Sequence, residues 1–120
     1  MAVTAMCWGF SCGDGWFNII DQLCGNIQHH LDWVNKKEVK VAQVEVGQVK
    51  EKFGTLRFYY IGGDDIIDGM VRMAESMSAV TCEECGAPGK TSGRGWLVTL
   101  CDEHAAVREA AYAARFNTKD

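Results

Sequence analysis

A stripe of apolar residues at helical spacing runs through the first third of the chain. It consists of Trp16, Ile20, Leu23, Ile27, Leu31 and Val34. Steps of three and four residues place these side chains on one face of a helix. Asp14 can cap the first turn, and Lys36 and Lys37 suit the negative end of the helix dipole. The pattern predicts an amphipathic helix that starts near Gly15 or Trp16.

Alternating apolar residues follow this helix and predict β-strands. Val39 and Val41 alternate with polar residues, and Val44 and Val46 do so in the opposite phase. The change of phase at Ala42–Gln43 indicates a bulge or a break between two short strands.

The strongest strand candidate is the segment Thr55–Ile61, because it is rich in aromatic and branched residues. Its alternation places Leu56, Phe58 and Tyr60 on one face, and Arg57 and Tyr59 on the other. The segment Lys50–Gly54 would connect it to the preceding strand, so we expect an antiparallel hairpin.

A second helix is predicted after Gly62–Gly63, where Asp64 or Asp65 can provide the N-cap. Helical spacing joins Ile66, Met70, Ala74 and Met77. Because methionine commonly fills gaps in cores, we expect these methionines to be core residues and not to line a groove for a partner.

Two pairs of metal-binding residues follow the second helix. Cys82 and Cys85 enclose two residues, and so do Cys101 and His104. This combination of ligand type and spacing is typical of a structural zinc site. Gly86 suits a turn around a metal, since glycine adopts strained backbone angles readily. Four good ligands leave no open position for substrate, so the pattern favours structural Zn²⁺ over catalytic zinc.

Other elements surround these ligands. The segment 87–95 is expected to be a loop, and Trp96–Leu100 a short strand. A helix from Asp102 has acidic residues in its first turn and alanines through its middle, which favour helix. His104 would therefore bind metal from the first turn of this helix.

The remaining cysteines allow alternatives. A disulfide framework is possible on number alone. The first residues have no basic segment followed by a long apolar run, so we expect no signal peptide and a reducing cytosol, which favours a metal. We expect Cys24 to be a small core residue. Cys7 and Cys12 are spaced too widely for a tight metal turn, and their role stays open.

Composition and charge narrow the class of protein. The chain has 120 residues, 48% of them hydrophobic, and a formal net charge of -4. This length suits one domain, and the negative charge argues against an unselective nucleic-acid binder. No apolar run approaches the roughly 18 residues that a membrane span needs.

Other candidates for catalysis have simpler explanations. His29 and His30 are adjacent on a helix, so they point in different directions and cannot easily share one ion. Asp64 and Asp65 stand where a helix cap is expected. The chain also lacks the glycine-rich phosphate loops and the nucleophile motif of common enzymes, so we expect no enzyme activity.

Basic and aromatic residues form the one cluster that suggests a ligand. Candidates for charge are Lys52, Arg57 and Arg94, and candidates for stacking are Trp16, Tyr59 and Trp96; Lys50 and Lys90 could contribute further charge. If the hairpin and the zinc loop lie close together, such a surface could stack a base and pair with phosphate. The alternative is a solvated lysine face with Trp96 covering the metal.

Several blocks of sequence resemble a family of small, mostly uncharacterised proteins of tailed bacteriophages and prophages. The blocks are CGDGW (residues 12–16), VKEKFGTLRFY (49–59), CEECGAPG (82–89), GW (95–96) and TLCDEH (99–104). The resemblance implies a phage setting and a host cytoplasm, without a mechanism. The metal block also looks like the metal-binding half of phage HNH-type nucleases. In this chain, however, no histidine lies between Cys85 and Cys101 to serve as the catalytic base.

These observations predict an α+β fold. We expect a core over residues 1–80, with a small antiparallel sheet and packing helices, and a zinc-knuckle or ribbon-like lobe over residues 81–120, joined as one compact unit. The expected function is non-enzymatic binding that antagonises a host defence, either by blocking a nucleoprotein or by sequestering a nucleotide signal. The alternative is a nucleic-acid-binding zinc module in phage transcription or replication.

Overall fold

The structure, a computed structural model, describes residues 12–37, 40–93 and 95–117, without the side chains of residues 116 and 117. The elements are α1 (Phe17–Val34), β1 (Glu45–Lys52), β2 (Thr55–Ile61), α2 (Asp65–Ser78), β3 (Lys90–Ser92), β4 (Val98–Leu100) and α3 (Asp102–Asn117). The α+β class is confirmed, but the strands form two separate antiparallel pairs, β1–β2 and β3–β4. Each pair is a local hairpin, in which the two strands follow one another along the chain.

Helix α1 buries the predicted stripe except for Val34, which is half-buried, and Cys24 is buried beside the stripe. The predicted cap by Asp14 is wrong, because Asp14 lies inside a 3-10 turn, Asp14–Trp16, and the N-cap residue of α1 is Trp16. The N–H of Gly15 instead donates to the Glu83 carbonyl at 2.6 Å. The start of α1 is therefore set by contact with the metal lobe.

The expected early strand does not form among the described residues. The Asn35 side chain forms hydrogen bonds with both backbone groups of Val41. It accepts from the Val41 N–H at 2.7 Å and donates to the Val41 carbonyl at 3.1 Å. Because these groups are already satisfied, Val41 has no need of a strand partner. Val39 lies outside the described residues.

The β1–β2 hairpin is antiparallel, as predicted, and its connection is the two-residue turn Phe53–Gly54. The expected bulge exists but lies between Val46 and Gln48. The inner face buries Leu56 and Phe58, as the alternation predicted.

Helix α2 begins at the cap predicted for it. The Asp64 side chain accepts from the Ile67 N–H at 3.1 Å. The buried stripe of α2 consists of Ile67, Val71, Ala74 and Ser78. The prediction that the methionines are core residues is wrong for Met77, which is 48% exposed, while Met70 is half-buried.

The lobe contacts the core at several points. The Trp16 indole N–H donates to the Thr81 carbonyl at 2.9 Å, and Thr99 Oγ1 donates to the Gly54 carbonyl at 2.5 Å. The segment predicted as a loop includes the short strand β3, and β4 covers only the end of the predicted strand. Among the described helices, none is long and apolar enough to cross a membrane.

Candidate metal centre and binding surface

Four side chains from three parts of the fold converge at the predicted metal site. Cys82 and Cys85 lie in the turn after α2, Cys101 follows β4, and His104 lies in the first turn of α3. Their ligand atoms all lie within 4.8 Å of one another. The four residues can therefore bind one metal ion together.

The distances between the ligand atoms are short and even. The sulfurs of Cys85 and Cys101 are 3.8 Å apart. His104 presents Nδ1, which lies 3.6 Å from the Cys82 sulfur and 3.2 Å from the Cys101 sulfur. Nδ1 is thus the histidine atom that faces the centre.

Local backbone structure brings the first two ligands together. Gly86 has φ of 83°, and its N–H donates to the Cys82 carbonyl at 2.9 Å, which closes the turn. The Cys82 N–H donates to the Ala87 carbonyl at 2.7 Å. The β3–β4 hairpin then returns the chain to Cys101. The left-handed backbone at Gly86 is the feature that the sequence analysis associated with this turn.

The centre favours thiolate at its buried cysteine. Burial opposes ionisation of Cys82, but backbone N–H groups directed at its sulfur outweigh that effect and lower the pKa to about 6. The neighbouring sulfurs of Cys101 and Cys82 raise the pKa of His104 in turn. Thiolate is the form in which cysteine binds a metal.

The metal turn is held from outside by the residues before α1. The Gly13 N–H donates to the Glu83 carboxylate at 2.8 Å. A Cβ atom on Gly15 would overlap the carbonyl oxygens of Cys82 and Glu83, so only glycine fits there. The sequence analysis missed this role, although the two glycines around Asp14 were its signal.

The outer face of the β1–β2 hairpin carries the predicted basic and aromatic residues, and we call it the basic face (Lys50, Lys52, Arg57 and Tyr59). Lys50 lies directly across from Arg57 in the register. The Lys50 amine lies 5.9 Å from the centre of the Tyr59 ring. The Arg57 Nε is buried and has no hydrogen-bond partner among the described residues.

One predicted ligand-binding residue, Trp16, does not join this face. Trp16 is wrong as a stacking residue, because its ring is 0% exposed in the core beneath the metal turn. Its indole contributes to the fold by bonding to Thr81. Arg94 lies outside the described residues.

Trp96 is 70% exposed and does not cover the metal. It lines a cleft of about 440 Å³ between the β3–β4 hairpin and α3, together with Arg108 and Tyr112. Arg108 donates to the Trp96 carbonyl at 3.3 Å. The sequence analysis missed Arg108 and Tyr112, whose spacing of four residues on α3 was the available signal.

The histidines of α1 do not contribute to the described metal-ligand cluster. His30 Nε2 lies 2.8 Å from an oxygen of Asp64, the residue that caps α2. This contact lowers the pKa of the Asp64 carboxyl. His30 thus links α1 to the start of α2.

No family model matches the chain, and no curated protein or solved structure is matched to it either. The function is therefore inferred from the site itself.

Proposed function

We propose that the protein is a zinc-stabilised, non-enzymatic binding protein whose basic face binds nucleic acid. The observation that carries this proposal is the direct cross-strand pairing of Lys50 with Arg57. Like charges directly opposite each other destabilise a sheet, and an anionic ligand bound at both would offset that repulsion.

The chemistry of the face supports phosphate and base recognition together. Lys50, Lys52 and Arg57 offer donors for phosphate, and Tyr59, which is 44% exposed, offers a ring for stacking. A phosphate would satisfy the buried Arg57 Nε, which lacks a partner among the described residues, once this side chain turns toward the open face. These positions lie along the open face of a two-stranded ladder, which suits an extended strand of nucleic acid.

The donor set supports Zn²⁺ as the metal. Bonds of about 2.3 Å from zinc to sulfur place two sulfurs of a tetrahedron about 3.8 Å apart. The sulfurs of Cys85 and Cys101 have this separation, 3.8 Å. Zinc would hold the β3–β4 hairpin at the turn Phe53–Gly54, where Thr99 bonds to Gly54, and so support one end of the basic face.

Native mass spectrometry of protein purified without chelator tests the metal. We expect one zinc per chain in the wild type and in Cys24→Ala, the matched control that changes a buried cysteine outside the cluster. A zinc-free wild type, or zinc retained in both Cys82→Ser and Cys101→Ser, would contradict the assignment.

Fluorescence anisotropy with labelled single-stranded oligonucleotides tests the basic face. Arg57→Ala should weaken binding and reduce the salt slope by about 0.7, as loss of one phosphate contact to a single strand does. Tyr59→Ala should weaken binding by about 1–3 kcal/mol with the slope retained, because stacking releases no counterions. Lys36→Ala, which removes a charge after the end of α1, is the control and should bind like wild type. Equal loss in Lys36→Ala, or no loss in either test variant, would contradict the proposal.

Antagonism of a host defence is the second candidate, and the net charge of -4 favours it. A strongly salt-dependent interaction with oligonucleotides supports the first candidate. Discrete binding of one small nucleotide with weak salt dependence supports sequestration of a nucleotide signal in the host cytoplasm. Capture of a defence nucleoprotein, without binding to free oligonucleotides, supports direct blocking.

A further inference from the structure

An apolar groove runs between α1 and α2. It has a volume of about 560 Å³, and its apolar lining consists of Ile19, Leu23, Met70, Met73, Ala74 and Met77. Met73 and Met77 are 63% and 48% exposed. The groove is separate from the metal centre and from the basic face.

The exposed part of the groove is a second apolar stripe on α2. Ile66, Met70, Met73 and Met77 follow one another at steps of four, three and four residues. This spacing places them side by side along one face of the helix, next to the stripe that the core already buries. Helix α2 already contacts α1 and β2. Ile66, Met73 and Met77 of the second stripe nevertheless remain exposed, so this stripe is free to pack against a further element.

The groove carries no charge. Its polar lining residues are the amides Asn18, Gln22 and Asn26. In a contact between two identical surfaces related by a two-fold axis, a charged group near the axis lies against the same charge of the other copy, and the two repel each other. The net charge of the chain is -4, so two copies repel each other overall. An uncharged face adds no further repulsion at the contact and therefore suits self-association.

A glycine inside α2 supports close approach by another helix. A Cβ atom on Gly69 would meet nothing within 4 Å, so the described fold has no need of glycine there. Glycine within a helix is less stable than alanine. Gly69 also lines the groove, one turn before Met73.

We propose that this groove is the interface of a symmetric homodimer, in which α2 packs antiparallel to α2 of a second copy. In such a pair, centred near Val71, the Met73 side chain of one copy would fill the space over Gly69 of the other. The two-fold axis repeats this contact. Flexible methionines adapt readily to such packing.

Sedimentation equilibrium of the full chain, from low-micromolar to submillimolar concentration, tests the dimer. We expect a reversible monomer–dimer equilibrium in the wild type. Met73→Glu should raise the dimer dissociation constant by about tenfold or more, since it buries a charge. Val107→Glu is the matched control. Val107 lies on α3, and its exposed fraction of 62% is nearly equal to the 63% of Met73. This variant should dimerise like wild type.

The variant Gly69→Leu distinguishes the proposed interface from nonspecific hydrophobic association. Leucine on an exposed helix position favours helix, so the variant should remain folded. In the proposed dimer it occupies the space for Met73 and weakens association. Stronger association of Gly69→Leu, a monomeric wild type, or dimers retained by Met73→Glu would each overturn the proposal.

Hydroxyl-radical labelling read by mass spectrometry identifies what covers the groove. We expect oxidation of Met73 and Met77 to fall as protein concentration rises. Oxidation that is fast at every concentration would mean that the groove is open. Oxidation that is slow at every concentration would mean that the chain covers its own groove. Both results would overturn the dimer.

Discussion

At the scale of single residues, the two cysteines of the first metal pair have different surroundings. Cys82 is 0% exposed, whereas Cys85 is exposed. Burial opposes ionisation of Cys82. The backbone N–H groups of Cys101, Cys85 and Glu84 nevertheless point at its sulfur and stabilise its thiolate, with a pKa of about 6. Cys82 is therefore both a ligand and a core residue.

Replacement of Cys82 should be more damaging than replacement of a buried cysteine elsewhere. We expect Cys82→Ser to lose bound metal and to melt at a markedly lower temperature, because metal-binding energy is folding energy in such lobes. Cys24→Ala should keep the metal and lose only about 1 kcal/mol of stability. Calorimetry with metal analysis checks both. Equal melting temperatures for the two variants would contradict the metal role of Cys82.

The carboxyl of Asp64 makes stability depend on pH at the acid side. The hydrogen bond with His30 is the main cause of its lowered pKa, and the Ile67 N–H adds to the effect. A group whose pKa is lower in the folded state stabilises the protein above its ordinary pKa, 3.8 here, and loses that contribution as pH falls through the folded value.

Asp64→Asn should keep the helix cap, since asparagine also caps, but it cannot ionise. We expect the variant to melt below wild type at neutral pH, and the difference to shrink as pH falls below 3.8. Asp65→Asn, which removes a neighbouring charge in the same turn, is the control. A difference that is the same at every pH would show that the ionised carboxylate is not responsible.

At the scale of elements, the turn of the β1–β2 hairpin combines strain with exposure. Phe53 has φ of 55°, which is unfavourable for an aromatic residue, and its ring is 66% exposed. Gly54 has φ of 85°, and a Cβ there would lie 3.0 Å from a Thr91 methyl group and 3.3 Å from the backbone of Leu97. The turn therefore requires glycine at its second position only.

Substitutions at the two positions of this turn should change the free energy of unfolding in opposite directions. Phe53→Asn should stabilise the protein by about 0.5–1 kcal/mol, because Asn-Gly is the favoured pair for a two-residue hairpin turn. Gly54→Ala should destabilise it by about 1–3 kcal/mol through positive φ and contact with the lobe. Urea unfolding measures both. Destabilisation by Phe53→Asn would mean that the ring contributes more to the fold than its exposure indicates.

The free edge of β2 is also protected at this scale. The N–H of Leu56 donates to the Ser78 hydroxyl at 2.8 Å, and the N–H of Phe58 donates to the Glu75 carboxylate at 3.0 Å. Side chains of α2 thus replace a third strand, which explains how a two-stranded ladder remains stable with a buried face.

At the scale of the whole molecule, hydrogen bonds join the metal lobe to the core on two sides. Gly15 and Trp16 bond to the turn around Cys82, and Thr99 bonds to Gly54 at the hairpin tip. Hydrogen bonds at two places therefore connect the parts on either side of the predicted division at residues 80 and 81. We expect the two parts to unfold together.

Metal removal should consequently destabilise the whole chain. With a chelator present, far-ultraviolet circular dichroism and tryptophan fluorescence should report one shared transition at a lower temperature, because buried Trp16 lies against the lobe. Cys82→Ser should show no further loss when chelator is added. Two separate transitions, with only the first sensitive to chelator, would show that the lobe unfolds independently.

The sequence determined by itself those features that depend on neighbours along the chain. Helical spacing predicts the buried face of α1, alternation predicts Leu56 and Phe58 as inner residues, and the helix cap is predicted at Asp64 or Asp65, of which the structure shows Asp64. The sequence also predicts the four candidate ligands, because a separation of two residues lets a single turn of backbone present both members of a pair to one ion.

Only the tertiary structure decided which surfaces remain exposed. Trp16 and Met77 both lie on apolar stripes, yet Trp16 is 0% exposed beneath the metal turn and Met77 is 48% exposed on the groove. The difference depends on what packs from distant parts of the chain. Likewise, Gly15 matters because Glu83 approaches its backbone. Local pattern specifies which residues are able to be buried, and long-range packing selects among them.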